Sequence, residues 1–487
     1  MKQLSGLDAS FLSMETPTTF GHVNGLGIYA RPSADFEPYP LVRERMAAIV
    51  GRLEPMRRRL VEVPFGLDHP YWIDDPDFDL DFHVRHLGLA PPGGMDQLGE
   101  QVARIIGRPM DRAHPLWEMY VIEGLADGRW AVLTKTHHAT VDGAAGVLLL
   151  TMLTDGSADA PMPEPVTWDP EPVPSDAALL KRTAVHLAMN PVKAARLQLR
   201  LVRDIAQSAG IDSVAGLAGR TRDAITAVAR AAQNGNDDEH HLLPAAVTQA
   251  PPTPWNHTIT AHRRFALRSA SMGDIKAVKN AAGCTVNDVV MAMCAGALRA
   301  YLLDHDALPD EPLRALVPVS IRTGAEADPW TNRVSAILAE VPTHVADPLE
   351  RLQACHDAMV DAKHQLDVVP EDAIGELAET LTPLVTSSAM RLVSRLKLAD
   401  RIHLPANLTI SNVPGPRSPL YFAGAKLENY IPVSIVTDGL GLNITVHSYV
   451  DTLDIGIVAA RELVPDLEHM ADLHLAELRT LFEATGA

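Results

Sequence analysis

The reading turns on one stretch, Trp130-Ala131-Val132-Leu133-Thr134-Lys135-Thr136-His137-His138-Ala139-Thr140-Val141-Asp142-Gly143, and on the apolar segment 144–153 that follows it. Residues 130–136 are rich in β-branched and apolar side chains and follow the turn signal Asp127-Gly128, so they predict a strand. Residues 144–153 predict a mostly buried helix, closed by Asp155-Gly156. Segment 137–143 therefore lies on a strand-to-helix turn. Such turns present side chains at the end of a sheet, where α/β folds commonly place their sites.

The residue types on this turn suit acyl transfer. An attacking hydroxyl must lose its proton, and a histidine with an unperturbed pKa of about 6.5 is largely neutral at pH 7 and can take it. A second group must hold the ring, and a third must stabilise the oxyanion. One histidine of the pair can face a cleft while the other turns into the protein. Asp142 can fold back to tie the turn to a neighbouring element, and Gly143 leaves room beside the base and lets the backbone turn tightly. The alternative is a pair of buried histidines capped by a turn aspartate.

Three zones extend from this stretch. Residues 1–156 alternate short strand-like and helical segments and carry the motif. Residues 157–261 begin with a Pro-rich run that suits neither helix nor strand, and continue as Ala-, Leu- and Arg-rich helical sequence. Over 177–233 there are nine Lys/Arg (181, 182, 193, 196, 200, 203, 220, 222, 230) against three Asp (204, 212, 223), and Arg196, Arg200 and Arg203 fall at helical spacing. Such a face could rest on an anionic membrane or lipid droplet; the alternative is a connector with a solvated basic side. Residues 262–487 show two helices over 275–303, split by Gly283-Cys284-Thr285. They also show a strand at 313–321 and a strand pair at 442–450 and 453–458, with a tight turn near Thr452.

Composition narrows the classes. The chain has 487 residues, 47% hydrophobic and 21% charged, enough for two soluble domains. A net charge of -19 disfavours nucleic acid as a partner. Cys284, Cys294 and Cys355 build no disulfide framework, which fits a reducing cytoplasm. No signal-peptide pattern opens the chain, and no uninterrupted apolar run approaches the ~20 residues a spanning helix needs, so membrane contact should be peripheral. No metal-ligand cluster, Gly-x-Ser-x-Gly elbow or phosphate-binding glycine loop occurs. His240-His241 reads as solvated linker, and His83 and His86 as exposed edge positions of a strand.

Segment 137–143 also matches the His-His-x-x-x-Asp-Gly signature of the CoA-dependent acyltransferase superfamily. Further segments resemble bacterial wax ester synthase/diacylglycerol acyltransferases: Leu4-Ser5-Gly6-Leu7-Asp8-Ala9-Ser10-Phe11-Leu12 through Glu15, with His22-Val23 beyond; His114-Pro115-Leu116-Trp117-Glu118; Val286-Asn287-Asp288-Val289-Val290; Pro318-Val319-Ser320-Ile321-Arg322; and Ser411-Asn412-Val413-Pro414-Gly415-Pro416. The resemblance implies an α/β fold of two chloramphenicol-acetyltransferase-like domains, with a central tunnel and a helical connector. It implies transfer of a long-chain acyl group from acyl-CoA to diacylglycerol in a ternary complex, without a covalent acyl-enzyme and without a cofactor. Wax ester formation from long-chain alcohols is the near alternative. A condensation-domain-like use of another donor or acceptor, and a non-catalytic lipid-binding protein, are the others.

By the same likeness His138 is the general base, His137 is structural support, and Asp142 is a structural anchor whose partner is Arg322. Asn287 is a candidate oxyanion donor, against the alternative that Thr285 or Asn287 only caps a helix. Glu15 lies near the base by resemblance, and Ser411 and Asn412 are candidates for the wall of the CoA access. The expected location is cytoplasmic, with peripheral contact at the inner face of the plasma membrane or on lipid droplets.

Overall fold

A computed structural model describes residues 1–189, 249–321, 330, 332, 334–368, 387, 391, 394–401 and 404–487. Arg322, the His240-His241 pair and most of the basic stretch lie outside the described residues. The chain divides into two compact units. One holds Met1–Glu62, His69–Val173 and Gln249–Ala487; the other holds Val63–Asp68 and Pro174–Thr248. In the second unit a helix spans Asp176–Met189, and His186 Nδ1 lies 2.7 Å from Asp68 Oδ2.

The first unit is built on two six-stranded sheets. One contains β1 (His22–Tyr29), β2 (Val84–Gly88), β3 (Trp117–Glu123) and β4 (Trp130–His137). The other contains β5 (Arg263–Ser271), β6 (Leu313–Ser320), β7 (Val334–Val341) and β8 (Leu408–Pro414). Two later strands, β9 (Tyr421–Phe422) and β10 (Ala425–Val433), join the first sheet, giving the order β9-β10-β1-β4-β3-β2. The last two, β11 (Leu442–Tyr449) and β12 (Thr452–Ala460), complete the second as β7-β6-β8-β11-β12-β5. The segment 262–487 thus supplies strands to both sheets. Through β10, which pairs antiparallel with β1, it closes one side of the sheet that carries the histidine motif.

β4 is buried on both faces. Trp130 and Val132 pack into one core with Val141, Ala145 and Leu149, while Ala131 and Leu133 pack into another with Leu98, Val102 and Phe265. Side chains alternate across a strand, so a strand covered on both sides reads as a near-continuous apolar run. The helix Pro38–Ile49, α2 (Met95–Ile106) and α3 (Gly143–Leu153) pack on this sheet; α1 (Gly6–Ser13) lies beside the end of β4.

The second sheet is covered by α4 (Met272–Ala282), α5 (Val286–Asp304), α6 (Pro348–Val368) and α7 (Leu467–Thr485). Gly283 ends α4 in the left-handed region, at φ 68°, where glycine carries no side-chain penalty. No uninterrupted apolar run in α5 approaches spanning length, since Asn287, Asp288 and Arg299 break it; by length and composition alone the helix could cross a membrane, but most of it is buried in the core of this sheet.

His83 also corrects the sequence reading. It is fully buried, stacks on Trp117 at 4.3 Å and bonds the Trp117 carbonyl at 2.7 Å; only His86 is exposed, paired with Glu123. The edge-strand reading holds for His86, which lies on the edge strand β2, and fails at His83 because residues 80–83 form a short helical turn before β2 begins at Val84.

Candidate active site

β4 ends where its backbone stops pairing. The His137 N–H donates to the Leu116 carbonyl at 3.0 Å, and the Thr140 N–H turns back onto the His137 carbonyl at 2.9 Å. The chain then restarts as α3, with Asp142 as its N-cap: the carboxylate accepts from the Ala145 N–H at 2.8 Å. Asp142 is buried, so it anchors the turn from inside.

The two histidines face different surroundings. His137 is buried, and its Nδ1 accepts from the Ala139 N–H at 3.0 Å, which puts the ring proton on Nε2. Nε2 lies 3.2 Å from Glu15 Oε1, at an angle poorer than a straight hydrogen bond. Glu15 also accepts from the Gly21 N–H at 2.9 Å and from Arg112 at 2.8 Å. Burial pushes the Glu15 carboxyl up, but His137, the Gly21 N–H and Arg112 outweigh it and hold it well below the usual carboxylate range. Glu15 therefore stands behind His137 rather than beside His138.

His138 is held from three sides. Its N–H donates to the Gly21 carbonyl at 2.7 Å, and its ring stacks on Phe11 with centroids 4.0 Å apart and planes 15° apart. Its Nδ1 lies 3.0 Å from Asn332 Oδ1. The Asn332 amide nitrogen in turn donates to the His138 carbonyl at 2.7 Å and to Asp8 Oδ1 at 2.6 Å. Burial lowers the His138 ring to about 4, so it is neutral at pH 7 and able to accept a proton.

The other candidates fall into two groups. Thr285 is the N-cap of α5 in a capping box with Asp288, which frees Asn287 from that role. The Asn287 amide oxygen instead accepts from the Asn412 amide at 3.2 Å, bringing those two candidates together; Ser411 lies on β8 beside Thr445. Gly143 is the first residue of α3 and is absent from the positive-φ positions, so the tight-turn reason for glycine does not hold. Among the described residues a Cβ there would meet only Val413 Cγ2, at 3.9 Å. No atom of the described residues forbids a side chain at 143, and Val413 is the neighbour of Asn412 on β8.

Asn332 and Phe11 carry no sequence signal of their own as site residues. Asp8 and Phe11 belong to the N-terminal segment quoted for its likeness, and α1 is the element that brings them to the ring. A groove of about 800 Å³ runs between α2, the start of β5 and the start of α7, and His138 does not line it. Among the described residues no cluster of His, Cys, Asp and Glu could hold a metal ion.

A model of the wax ester synthase/diacylglycerol acyltransferase catalytic domain matches residues 4–290, and one of the WS/DGAT C-terminal domain matches 330–481. Two proteins of Mycobacterium tuberculosis that carry diacylglycerol O-acyltransferase names are similar over nearly their whole length. One is 38% identical over 99% of this chain and 100% of its own; the other is 35% identical over 98% of each. Among solved structures, the wax ester synthase/diacylglycerol acyltransferase from Marinobacter aquaeolei VT8 is 30% identical, with a TM-score of 0.69 over 100% of both chains. The first condensation domain of the calcium-dependent antibiotic synthetase shares the fold alone, with a TM-score of 0.53 at 14% identity, over 100% of this chain and 96% of its own.

Proposed function

Since the chain belongs to the wax ester synthase/diacylglycerol acyltransferase family, we propose that it transfers a long-chain acyl group from acyl-CoA to diacylglycerol, giving triacylglycerol and free CoA. One observation carries the chemical part of the reading: a partly buried, neutral histidine at the end of β4, its ring stacked on Phe11. In the reaction His138 takes the proton of the acceptor hydroxyl as its oxygen attacks the thioester carbonyl. The tetrahedral intermediate then collapses, the C–S bond breaks, and the departing CoA sulfur receives that proton. Direct transfer of this kind needs no acyl-enzyme.

The remaining assignments belong to the same proposal. Asn287 is the oxyanion donor, supported by its release from helix capping and its contact with Asn412. Asp142 and Arg322 form the anchor of the turn, and Ser411 and Asn412 line the access for CoA. A tunnel between the two halves, supported by the family fold, carries the lipid chains. The basic excess over residues 177–233 supports peripheral contact with a membrane or lipid droplet.

The test is product analysis. Purified protein given long-chain acyl-CoA with diacylglycerol and a long-chain alcohol together is expected to yield triacylglycerol as the main ester. Wax ester alone would move the acceptor to alcohols, and no ester of either kind would contradict the proposal.

A further inference from the structure

We propose that Asn332, itself held by Asp8, is a positioning residue that fixes the tautomer and rotation of His138, so that Nε2 is the nitrogen that takes the acceptor's proton. The inference rests on the reading of His138 as the base and adds what sets its reactive atom.

The argument is one of hydrogen-bond satisfaction. An asparagine amide has one acceptor side and one donor side. The nitrogen side of Asn332 faces two oxygens, the His138 carbonyl at 2.7 Å and Asp8 Oδ1 at 2.6 Å. A carbonyl and a carboxylate only accept, so turning the amide over would set its oxygen against both. Asn332 Oδ1 must therefore face His138 Nδ1, 3.0 Å away, and that contact is a hydrogen bond only if Nδ1 carries the proton. A neutral imidazole has one proton, which leaves the Nε2 lone pair open.

Asp8 is equipped to hold Asn332 this way. Its Oδ1 also lies 3.3 Å from the Asn332 backbone N–H, and its Oδ2 accepts from the Ser5 hydroxyl at 2.7 Å. Asp8 is buried, so it is a fixed acceptor rather than a solvated charge. Trp330, two residues before Asn332, is buried in the core that contains Val141 and Ala145 of the motif turn. The competing account is that the ring needs no such partner, because its own backbone carbonyl also lies within reach of the ring N–H.

One measurement tests the tautomer that both accounts require, and a second separates them. In the unmodified protein, nitrogen-15 NMR of labelled histidine, assigned by difference from His138→Ala, is expected to show His138 protonated at Nδ1. Protonation at Nε2 overturns the proposal whatever the variants do. The second measurement is the pH dependence of turnover in variants whose melting is also recorded. Asn332→Leu, close in shape and without hydrogen bonds, is expected to lower kcat roughly 100-fold with little change in KM. Asn332→Asp keeps an acceptor on Nδ1. It is expected to retain more activity than Asn332→Leu and to move the acid limb of the profile upward, because a carboxylate favours the imidazolium. An Asn332→Leu protein with kcat within twofold and an unmoved profile would overturn the proposal and leave the backbone carbonyl as sufficient. Loss in His138→Ala alone tests the base and not this assignment, so the two readings fail separately.

Discussion

At the scale of single residues, the pairing of His137 and His138 divides labour by burial and by partner. His137 spends Nδ1 on the Ala139 N–H and has Glu15 behind it, while His138 stands against Phe11 and Asn332. A base held neutral down to about 4 by burial stays active well below the pH at which an ordinary histidine charges. The neutral form is the active one, so kcat/KM is expected to be flat from pH 8 to about 5 and to fall as pH approaches 4. A half-point near 6.5 would contradict this.

Gly143 supplies a second test at this scale. A Cβ at 143 meets no atom of the described residues closer than 3.9 Å, and alanine favours a helix over glycine by about 0.5–1 kcal/mol. Gly143→Ala is therefore expected to fold with equal or higher melting temperature. If the space belongs to substrate, turnover should still drop at least tenfold. A fall in stability would place the need for glycine in the fold instead.

The histidine pair, Asp142 and Gly143 were legible in the sequence because they are adjacent. Asn332 was not, since it reaches His138 across 194 positions and an asparagine in a loop has no spacing to betray it.

At the scale of elements, the site is a junction of α1, the start of β1 and the end of β4. Gly21 is the tightest point: a Cβ there would come within 2.7 Å of His137 Nε2 and 3.0 Å of the Phe11 carbonyl. His137 cannot step aside without losing its contacts to Ala139 and Glu15. Gly21→Ala is expected to destabilise the protein by about 1–3 kcal/mol in urea unfolding and to reduce turnover through ring displacement. A variant as stable and active as the parent would show that the junction yields.

The strand leading into the motif was readable because β4 is covered on both faces and shows as a near-continuous apolar run. His83 was misread for the converse reason. Alternation reports exposure only where one face meets water, and His83 closes a helical turn stacked on Trp117. The crossing of β9 and β10 into the first sheet had no local signal either, because partner choice between strands depends on long-range packing.

At the scale of the whole molecule, burial holds several histidines neutral. His83, His138, His447 and His474 are each lowered to about 4, and His22 lies well below its usual value. The unfolded chain takes up these protons below about pH 6.5, whereas the folded chain resists until near 4. Their contribution is thus fully present above 6.5 and lost as pH falls, by up to about 1.4 kcal/mol per pH unit for each group. Asp8, Asp454 and Glu477, pushed up by burial, work in the opposite direction, since the folded chain holds their protons more tightly. The balance favours the five histidines, and the urea midpoint is expected to drop between pH 7.5 and 5.5. A midpoint that rises over that range would contradict this balance.

The central claim is that His138 is the base of an acyl transfer that requires an acceptor. The most direct measurement is thiol release from long-chain acyl-CoA, with and without diacylglycerol, by the unmodified protein and by His138→Ala. Release is expected to depend on diacylglycerol and to fall roughly 10²–10⁴-fold in the variant. Release that needs neither diacylglycerol nor His138 would contradict the account.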